Sequence, residues 1–203
     1  MNMEILFGTS NPAKLAAMRK AVVPLGIKIA GLKDMNRPVP AIEENGADPL
    51  ENAQIKATAF YRAFHMPVFS CDSGLYFEGI EDSLQPGTHV RRVNGKELTD
   101  EEMIGYYSKL ALKYNGRLVG RYINAICLIL DEEHIYCSMD ESLGTEPFLL
   151  VGTPHEKRVP GFPLDALSVD LKTNKYYYDL PDRTVAESDV DGFVDFFIKS
   201  LNC

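Results

Sequence analysis

The sequence predicts a mixed α/β protein in which an elongated mixed sheet is flanked by helices. Short apolar runs alternate with helical patterns early in the chain, and longer strand-like runs dominate later. No internal repeat or low-complexity tract interrupts this order. The 203 residues, 45% hydrophobic and 25% charged, are enough for one domain or two closely packed lobes, and we expect a single domain over residues 1–203.

Four helices are expected. The first is "TSNPAKLAAMRKAVVPLG", which Ser10 or Asn11 would cap and in which Pro12 suits the first helical position. The second is "PLENAQIKATAFYRAFH", with apolar residues at helical spacing. The third begins after Thr99, and Glu102 three residues later completes a capping-box pattern. The closing segment "DVDGFVDFFIKSLN" gives the last helix an apolar face.

Strands are expected between these helices. "MEILFGTS" and "IKIAGL" are short apolar runs, and "GRLVGRYINAICLIL" forms a hairpin with "HIYCSMDESLG" through "DEEH". "EPFLLVG", "ALSVDL" and "KYYYDL" follow, the last two around a turn. "PVFSCDSGLYF" is expected to be two strands joined by a bend, because Asp72, Ser73 and Gly74 place a charge and turn residues inside an apolar run.

Charge and composition limit the binding partners and the cellular location that we expect for the protein. A net charge of −8 argues against a broad nucleic-acid footprint. No signal peptide or membrane span is evident, so a cytoplasmic protein with no membrane partner is expected. The four cysteines lack C-x-x-C spacing, so no zinc site or disulfide framework is indicated, and Cys127 and Cys137 are expected to be buried free thiols.

The loop after the first strand is a candidate phosphate site. Thr9, Ser10 and Asn11 precede a helix whose first turn carries Lys14. The free amides and positive dipole end of a helix N-terminus bind phosphate, and hydroxyls and a lysine add donors. The alternative is an ordinary capped helix with a solvated lysine.

Two acidic segments are candidate metal ligands. Glu43 and Glu44 would hold a hard cation through oxygen, and Asn52 and Lys56 share one face of the following helix. Asp72 at the expected bend would bind Mg²⁺ or activate water. The alternatives are a solvated acidic loop, a polar helix face and a turn aspartate.

Three further features have candidate roles. Cys71 is a possible thiolate nucleophile, but no partnered base stands beside it in the sequence. Arg91 and Arg92 belong to the densest basic segment, "HVRRVNGK", which would meet a phosphate tail. Phe162 in "KRVPGFPLD" would stack on a base, with a role in the core as the alternative.

Taken in order, these segments resemble the inosine triphosphate pyrophosphatases. The similar stretches are "GTSNPAKL", "EENGADPLENAQIKA", "CDSGL", "QPGTHVRRVNG", "RYINAICLIL" and, in part, "GFPLDAL". The resemblance implies two lobes around a central cleft, a homodimer, and magnesium-dependent hydrolysis of a nucleoside triphosphate to the monophosphate and pyrophosphate.

The resemblance also implies roles for particular residues. Glu44 and Asp72 would hold Mg²⁺, and Asp72 and Lys56 would be catalytic. The phosphates would lie on "GTSNPAKL" and "QPGTHVRRVNG", and the base on "GFPLDAL". The residues implied to bind the nucleotide are Thr9, Ser10, Asn11, Lys14, Asn52, Ser73, Arg91, Arg92, Phe162 and Asp165.

The sequence departs from the family pattern at three places. Cys71 replaces the acid before the matched aspartate, and Pro163 and Leu164 replace a glycine and an aromatic residue. The family's late S-H-R motif is missing, and residues 187–189 (Glu-Ser-Asp) stand in its place. The base preference is therefore expected to be altered, and a non-catalytic nucleotide-binding or regulatory protein on the same fold is the alternative function.

Overall fold

A computed structural model of the chain describes residues 3–180 and 190–202. These residues form four α-helices and nine β-strands, together with short 3₁₀ turns. In chain order the elements are β1 (Met3–Phe7), α1 (Pro12–Val22), β2 (Ile27–Gly31), α2 (Pro49–Phe64), β3 (Val68–Phe77), β4 (Arg92–Val93), β5 (Lys96–Glu97), α3 (Asp100–Lys113), β6 (Arg117–Ile129), β7 (Ile135–Ser138), β8 (Phe148–Val151), β9 (Ser168–Asp170) and α4 (Asp191–Leu201). The expected α/β class with a mixed sheet and flanking helices is confirmed.

The chain divides into two compact units, and β3 and β6 contribute residues to both. The first unit comprises the described residues of Met1–Ser73, Ile123–Gly144 and Val185–Cys203, and the second comprises those of Gly74–Tyr122 and Thr145–Thr184. No helix in the described part of the chain is both long and apolar enough to cross a bilayer.

In the first unit the strand order is β2-β1-β3-β6-β7. β1 pairs in parallel with both β2 and β3, whereas β6 and β7 are antiparallel. Alternate residues of each strand face opposite sides, so each side needs its own helical cover. One side packs on α1 and α4 around Phe69 and Phe197, whose rings meet edge to face. The other side packs on α2, around Ala53, Ala57 and Phe60.

The second unit orders β3, β6, β8 and β9 in its sheet, and the last three are joined by antiparallel pairs. Its core is formed by α3 packing on the sheet, with Tyr107 fully buried. Thr99 caps α3 and Glu102 bonds back to the Thr99 amide, which is the predicted capping box. β4 and β5 form a separate hairpin around Asn94 and Gly95, both at positive φ.

Two details of the predicted strands are wrong. β3 runs unbroken through residues 71–74, so there is no bend at Asp72. Its charge is accommodated within a strand because polar side chains from α2 reach it, as described below. The segment "KYYYDL" is not a strand, since Tyr177–Asp179 form a 3₁₀ turn and only an isolated bridge joins Tyr176 to Val169.

Candidate active site

Asp72 reaches the loop after β1 because β3 is longer than its parallel neighbour. Phe7 pairs with Phe69, and the Gly8 amide donates to the Phe69 carbonyl at 2.8 Å. β1 ends there, while β3 continues. Residues 70–73 therefore lie alongside the loop of residues 8–11, at the carboxyl edge where parallel strands place their functional groups.

The loop itself is ordered by its own side chains. Thr9 Oγ1 accepts from the Asn11 amide at 3.2 Å, and Asn11 Oδ1 accepts from the Lys14 amide at 3.2 Å. Asn11, and not Ser10, is thus the residue that caps α1, and Pro12 is the first helical residue, as predicted. The hydroxyl of Ser10 and the ammonium of Lys14 belong to exposed residues beside the first turn.

Helix α2 supplies the partners of Asp72. Asn52 and Lys56, one turn apart, both point at the Asp72 carboxylate. Asn52 Nδ2 donates to Oδ2 at 3.1 Å and Lys56 Nζ donates to Oδ1 at 2.8 Å. Lys56 Nζ also lies 2.9 Å from Glu44 Oε2, so one ammonium bridges two carboxylates. Glu43, the alternative metal ligand, is exposed and is not part of this network.

Asn52 is fixed from behind by the loop before α2. It is only 2% exposed, and its Oδ1 accepts from the Gly46 amide at 2.8 Å. A Cβ at Gly46 would lie 2.8 Å from Asn52 Oδ1 and 2.7 Å from Glu51 Cβ, closer than packing allows. Glycine at this position therefore lets the loop approach closely enough to orient the amide toward Asp72.

The charges in the site are mutually compensated. The side chains of Lys56 and Asp72 are 13% and 15% exposed. Burial by itself would lower the pKa of Lys56, but the charge and hydrogen bonds of Asp72 and Glu44 outweigh it, and the pKa lies above its ordinary value. The lysine is therefore a permanent cation at neutral pH.

Cys71, next to Asp72 on β3, is a protonated thiol beside this charged network. Burial raises the pKa of its thiol to about 12, even though Lys14 and Lys56 act in the opposite direction. Successive strand residues face opposite sides, so Cys71 packs toward the α1 and α4 side while Asp72 faces α2. A protonated thiol is a poor nucleophile, which argues against the thiolate alternative.

A cavity of about 300 Å³ in the first unit brings most of the candidates together. Its polar lining consists of Thr9, Ser10, Asn11, Lys14, Glu44, Lys56, Cys71 and Asp72. Sequence reasoning missed the rest of the lining, which is Gly8, Leu32, Val39, Pro40, Ile42 and Phe60. For Gly8 the sequence did hold a signal, because a glycine directly after a strand often marks a close approach of the backbone to another group. In the structure a Cβ at Gly8 would lie 2.4 Å from the Phe60 ring.

The donor set suits a hard divalent cation that shares its ligands with a substrate. Among residues 3–180 and 190–202, no three histidine, cysteine, aspartate or glutamate side chains converge as a metal site. The two carboxylates of Glu44 and Asp72 do converge, on the Lys56 ammonium. Mg²⁺ is commonly held by one or two carboxylates together with substrate phosphates, so this pair fits it.

Ser73 does not join this network. It follows Asp72 on β3 and is half-buried, but strand alternation directs it to the opposite side of the sheet. The segment at residues 187–189 that replaces the S-H-R motif lies outside the described residues, so the expectation of an altered base preference stays a prediction.

The remaining candidates, Arg91, Arg92, Phe162 and Asp165, belong to the second unit. Arg91 Nη2 pairs with Asp100 Oδ1 at 2.8 Å, and Asp100 Oδ2 accepts from the Gly161 amide at 2.8 Å. The hydrogen bond from Gly161, followed by that from Arg91, lowers the pKa of Asp100. Asp100 therefore connects the basic segment to the loop that carries Phe162.

Three other second-unit candidates have their own surroundings. Arg92 is exposed in the β4–β5 hairpin. Phe162 is half-buried at the start of the 3₁₀ turn Pro163–Leu167. Asp165 within that turn is half-buried, and after burial its charge contributes to raising the pKa of Tyr178. These contacts leave the predicted roles of Arg92, Phe162 and Asp165 as predictions.

A model of the Ham1 family matches residues 5–145, which is more than half of the chain. The chain belongs to the Ham1 family. The matched range contains the whole Asn52–Lys56–Asp72 network and the loop after β1. The resemblance inferred from the sequence motifs is thereby confirmed.

Curated relatives named dITP/XTP pyrophosphatases match parts of the chain. A dITP/XTP pyrophosphatase of an Exiguobacterium species is 31% identical over 128 residues, which cover 62% of each protein. Another, of Deinococcus deserti, is 28% identical over 166 residues, covering 82% of this chain and 73% of that protein. A third, of Anaeromyxobacter dehalogenans, is 36% identical, but the match spans only 37% of its length.

Solved structures of Ham1 proteins share the fold over almost the whole chain. The Coxiella burnetii HAM1 protein superposes with a TM-score of 0.76 at 23% identity, and the Staphylococcus aureus Ham1 protein with 0.73 at 19%. Each match covers 98% of both chains. At these identities the likeness establishes the fold alone.

Proposed function

We propose that this Ham1 protein hydrolyses nucleoside triphosphates to the monophosphate and pyrophosphate, with Mg²⁺ as cofactor. The observation that carries the proposal is the Lys56 ammonium bridging Asp72 and Glu44 at the wall of the cavity. Relatives named dITP/XTP pyrophosphatases support the reaction class. The class fits a site that has paired carboxylates and lysines but no activated nucleophile of its own.

The phosphates would lie on the loop after β1. The first turn of α1 offers backbone amides and the positive end of its dipole, and the hydroxyls of Thr9 and Ser10 add donors. Exposed Lys14 supplies one positive charge to the cavity lining, and Lys56, held by its two ion pairs, supplies a second. In this arrangement the chain itself compensates part of the charge of a triphosphate.

Asp72 and Glu44 are the residues that would hold the metal. Bound Mg²⁺ would neutralise phosphate oxygens and favour departure of pyrophosphate. Asp72 would also orient the attacking water and accept its proton, because Asn52 and Lys56 fix both of its oxygens. The water would attack the α-phosphorus, so the bond to the bridging oxygen breaks and pyrophosphate leaves.

The base would be recognised by second-unit residues. Phe162 would stack on it, Asp165 would accept from its donors, and Arg91 and Arg92 would meet the phosphate tail. Residues 187–189 (Glu-Ser-Asp) bring two acids and one hydroxyl to the stretch that stands for the family's S-H-R motif. Acids repel the 6-oxo group of inosine or xanthine, so we expect a weaker preference for these bases than the family shows.

A nucleotide panel tests both the activity and the base preference. Pyrophosphate release is measured for inosine, xanthosine, adenosine, guanosine and pyrimidine triphosphates, with Mg²⁺ and with excess chelator. Release that needs the metal supports the enzyme. Tight nucleotide binding without any release would instead identify a non-catalytic nucleotide-binding protein. A preference of about a hundredfold or more for inosine or xanthosine triphosphate, ~2.7 kcal/mol of discrimination, would contradict the altered base preference.

The homodimer implied by the family resemblance is part of the same proposal. Light scattering on a gel-filtration column, at micromolar and nanomolar protein, reports the mass directly. A cytoplasmic location is also proposed, and cell fractionation tests it.

A further inference from the structure

Cys127 and Cys137 face each other across the β6–β7 hairpin. Their register makes them direct partners, and their Sγ atoms are 2.8 Å apart. The Leu130 amide donates to the His134 carbonyl, so Leu130 and His134 are a hydrogen-bonded pair of the antiparallel ladder. Hydrogen-bonded and non-hydrogen-bonded pairs alternate along such a ladder, and the cysteines lie three positions further along it. Cys127 and Cys137 are therefore a non-hydrogen-bonded pair. Non-hydrogen-bonded partners have Cα atoms about 4.5 Å apart, within the range of about 4.4 to 6.8 Å that a disulfide spans.

We propose that Cys127 and Cys137 form a thiol-oxidation site that reacts with small-molecule disulfides and closes a reversible cross-strand disulfide. This inference is independent of the proposed hydrolase activity, since it rests on the β6–β7 register and on the two thiols alone. The expectation that both cysteines are buried is wrong, because Cys137 is exposed on β7 while Cys127 is 1% exposed.

The different surroundings of the two thiols assign them different roles. The contact with Cys127 lowers the pKa of Cys137, despite some burial, and Gln54 on α2 adds a second hydrogen bond that acts in the same direction. The same contact and burial raise the pKa of Cys127. Because Cys137 is exposed and Cys127 is almost fully buried, Cys137 is the attacking thiolate, and Cys127 is the resolving thiol in contact with it.

The chemistry proceeds by two exchanges and balances without another reactant. The Cys137 thiolate attacks one sulfur of the small disulfide, forming a mixed disulfide and releasing one thiolate. Cys127 then attacks the Cys137 sulfur and releases the second small thiolate, which takes up the Cys127 proton. Two protein thiols are oxidised to one disulfide, and one small disulfide is reduced to two thiols.

The sequence makes the product easy to detect. Trypsin leaves both cysteines in one peptide, residues 122–157, separate from those carrying Cys71 and Cys203. The full chain is treated with oxidised glutathione, denatured, alkylated and digested. We expect this peptide to resist alkylation and to lose the mass of two hydrogens. A second digestion after Glu132 and Glu133 should then give two peptides that stay linked until reduction.

Two variants and an internal comparison complete the test. Cys127→Ser should stop at a stable glutathione adduct on Cys137, and Cys137→Ser, at an exposed position, should give neither adduct nor cross-link in this peptide. Oxidation of the pair should be at least about tenfold faster than adduct formation at half-buried Cys71. Full alkylation of both thiols in the oxidised wild-type chain, or a stable adduct on its Cys137, would overturn the proposal even if Cys127→Ser did not fold.

Discussion

Asn52 connects Gly46 to Asp72: its Oδ1 accepts from the glycine amide at 2.8 Å, and its Nδ2 donates to the carboxylate at 3.1 Å. The Asn52 amide thus connects the loop before α2 directly to strand β3. Because Asn52 is almost fully buried, both hydrogen bonds are shielded from water, and their loss would be costly.

We expect Asn52→Ala to lower both stability and activity. It leaves the Gly46 amide without its side-chain acceptor and removes one of the two donors to Asp72. The free energy of unfolding should fall by about 1–3 kcal/mol. Urea denaturation measures this loss, and Arg62→Ala on the exposed last turn of α2 is the control. If Asn52→Ala is as stable and active as Arg62→Ala, the buried amide does not position Asp72.

The two acids proposed to hold Mg²⁺ have a matched control in Glu43. Asp72→Asn and Glu44→Gln replace a charged oxygen by an amide, which serves a hard cation poorly. We expect Asp72→Asn to lower kcat/KM at least about a hundredfold, ~2.7 kcal/mol. Glu43→Gln, one residue from Glu44 and exposed, should leave it within about threefold. An Asp72→Asn enzyme that is nearly as fast, and still needs magnesium, would remove Asp72 from the mechanism.

Lys56→Ala should weaken the handling of phosphate. One lost charged contact is worth about 1.4 kcal/mol, so KM should rise or kcat should fall at least about tenfold. Steady-state kinetics of Lys56→Ala and Lys14→Ala decide the matter, since unchanged constants in both would place the triphosphate elsewhere.

The charge of Lys56 persists to high pH. Its raised pKa keeps Lys56 charged up to its ordinary 10.5, so the contribution of Lys56 to stability is complete below that pH and is lost only as the pH rises further.

Cys71→Ser should keep most of the activity, within about threefold. A thiol whose pKa is raised supplies little thiolate, and no histidine base is bonded to Cys71 among the contacts of the described residues. Turnover of the serine variant and mass spectrometry of the wild type during turnover are the measurements. A folded but inactive variant, together with a trapped covalent adduct on Cys71, would favour the thiol mechanism.

Glu102 gives a prediction for acid stability. Hydrogen bonds from Lys96 and then from Thr99 lower its pKa from 4.5 to about 2. Its contribution to stability is therefore present above pH 4.5 and is lost as the pH falls toward about 2. Chemical denaturation of wild type and Glu102→Gln at neutral pH and near pH ~3 should show the difference between them shrinking in acid. An equal difference at both pH values would contradict the assignment.

Local patterns were enough to predict most elements of the fold. Caps at Asn11 and Thr99 mark the starts of two helices, because side-chain acceptors there satisfy amides that no helical carbonyl can reach. The bend predicted at Asp72 was wrong because the partners that make a charge acceptable in a strand come from α2, about twenty residues earlier. The β4–β5 hairpin was missed although its signal, Asn94-Gly95, is in the sequence.

The site was predictable as a set of residues but not as a network. Helical spacing placed Asn52 and Lys56 on one face, and the strand order brought Asp72 to the end of β1. The choice between Glu43 and Glu44 could not be made, because adjacent loop residues differ only in which way they point. In the structure Glu44 meets Lys56 and Glu43 faces solvent. The apolar wall of the cavity, including Ile42, gave no sequence signal distinct from core residues.

The ammonium of Lys56 acts as a built-in counter-ion for the carboxylates of Glu44 and Asp72. Two carboxylates that converge in a half-buried place would repel each other and loosen the loop before α2, but a tethered cation already stands between them. The architecture of the first unit therefore does not need a divalent ion to hold it together. If the proposed Mg²⁺-dependent activity is correct, prolonged dialysis against chelator should abolish turnover while the melting temperature and the far-ultraviolet circular dichroism stay unchanged, because the first unit is already folded around the Lys56 ion pairs.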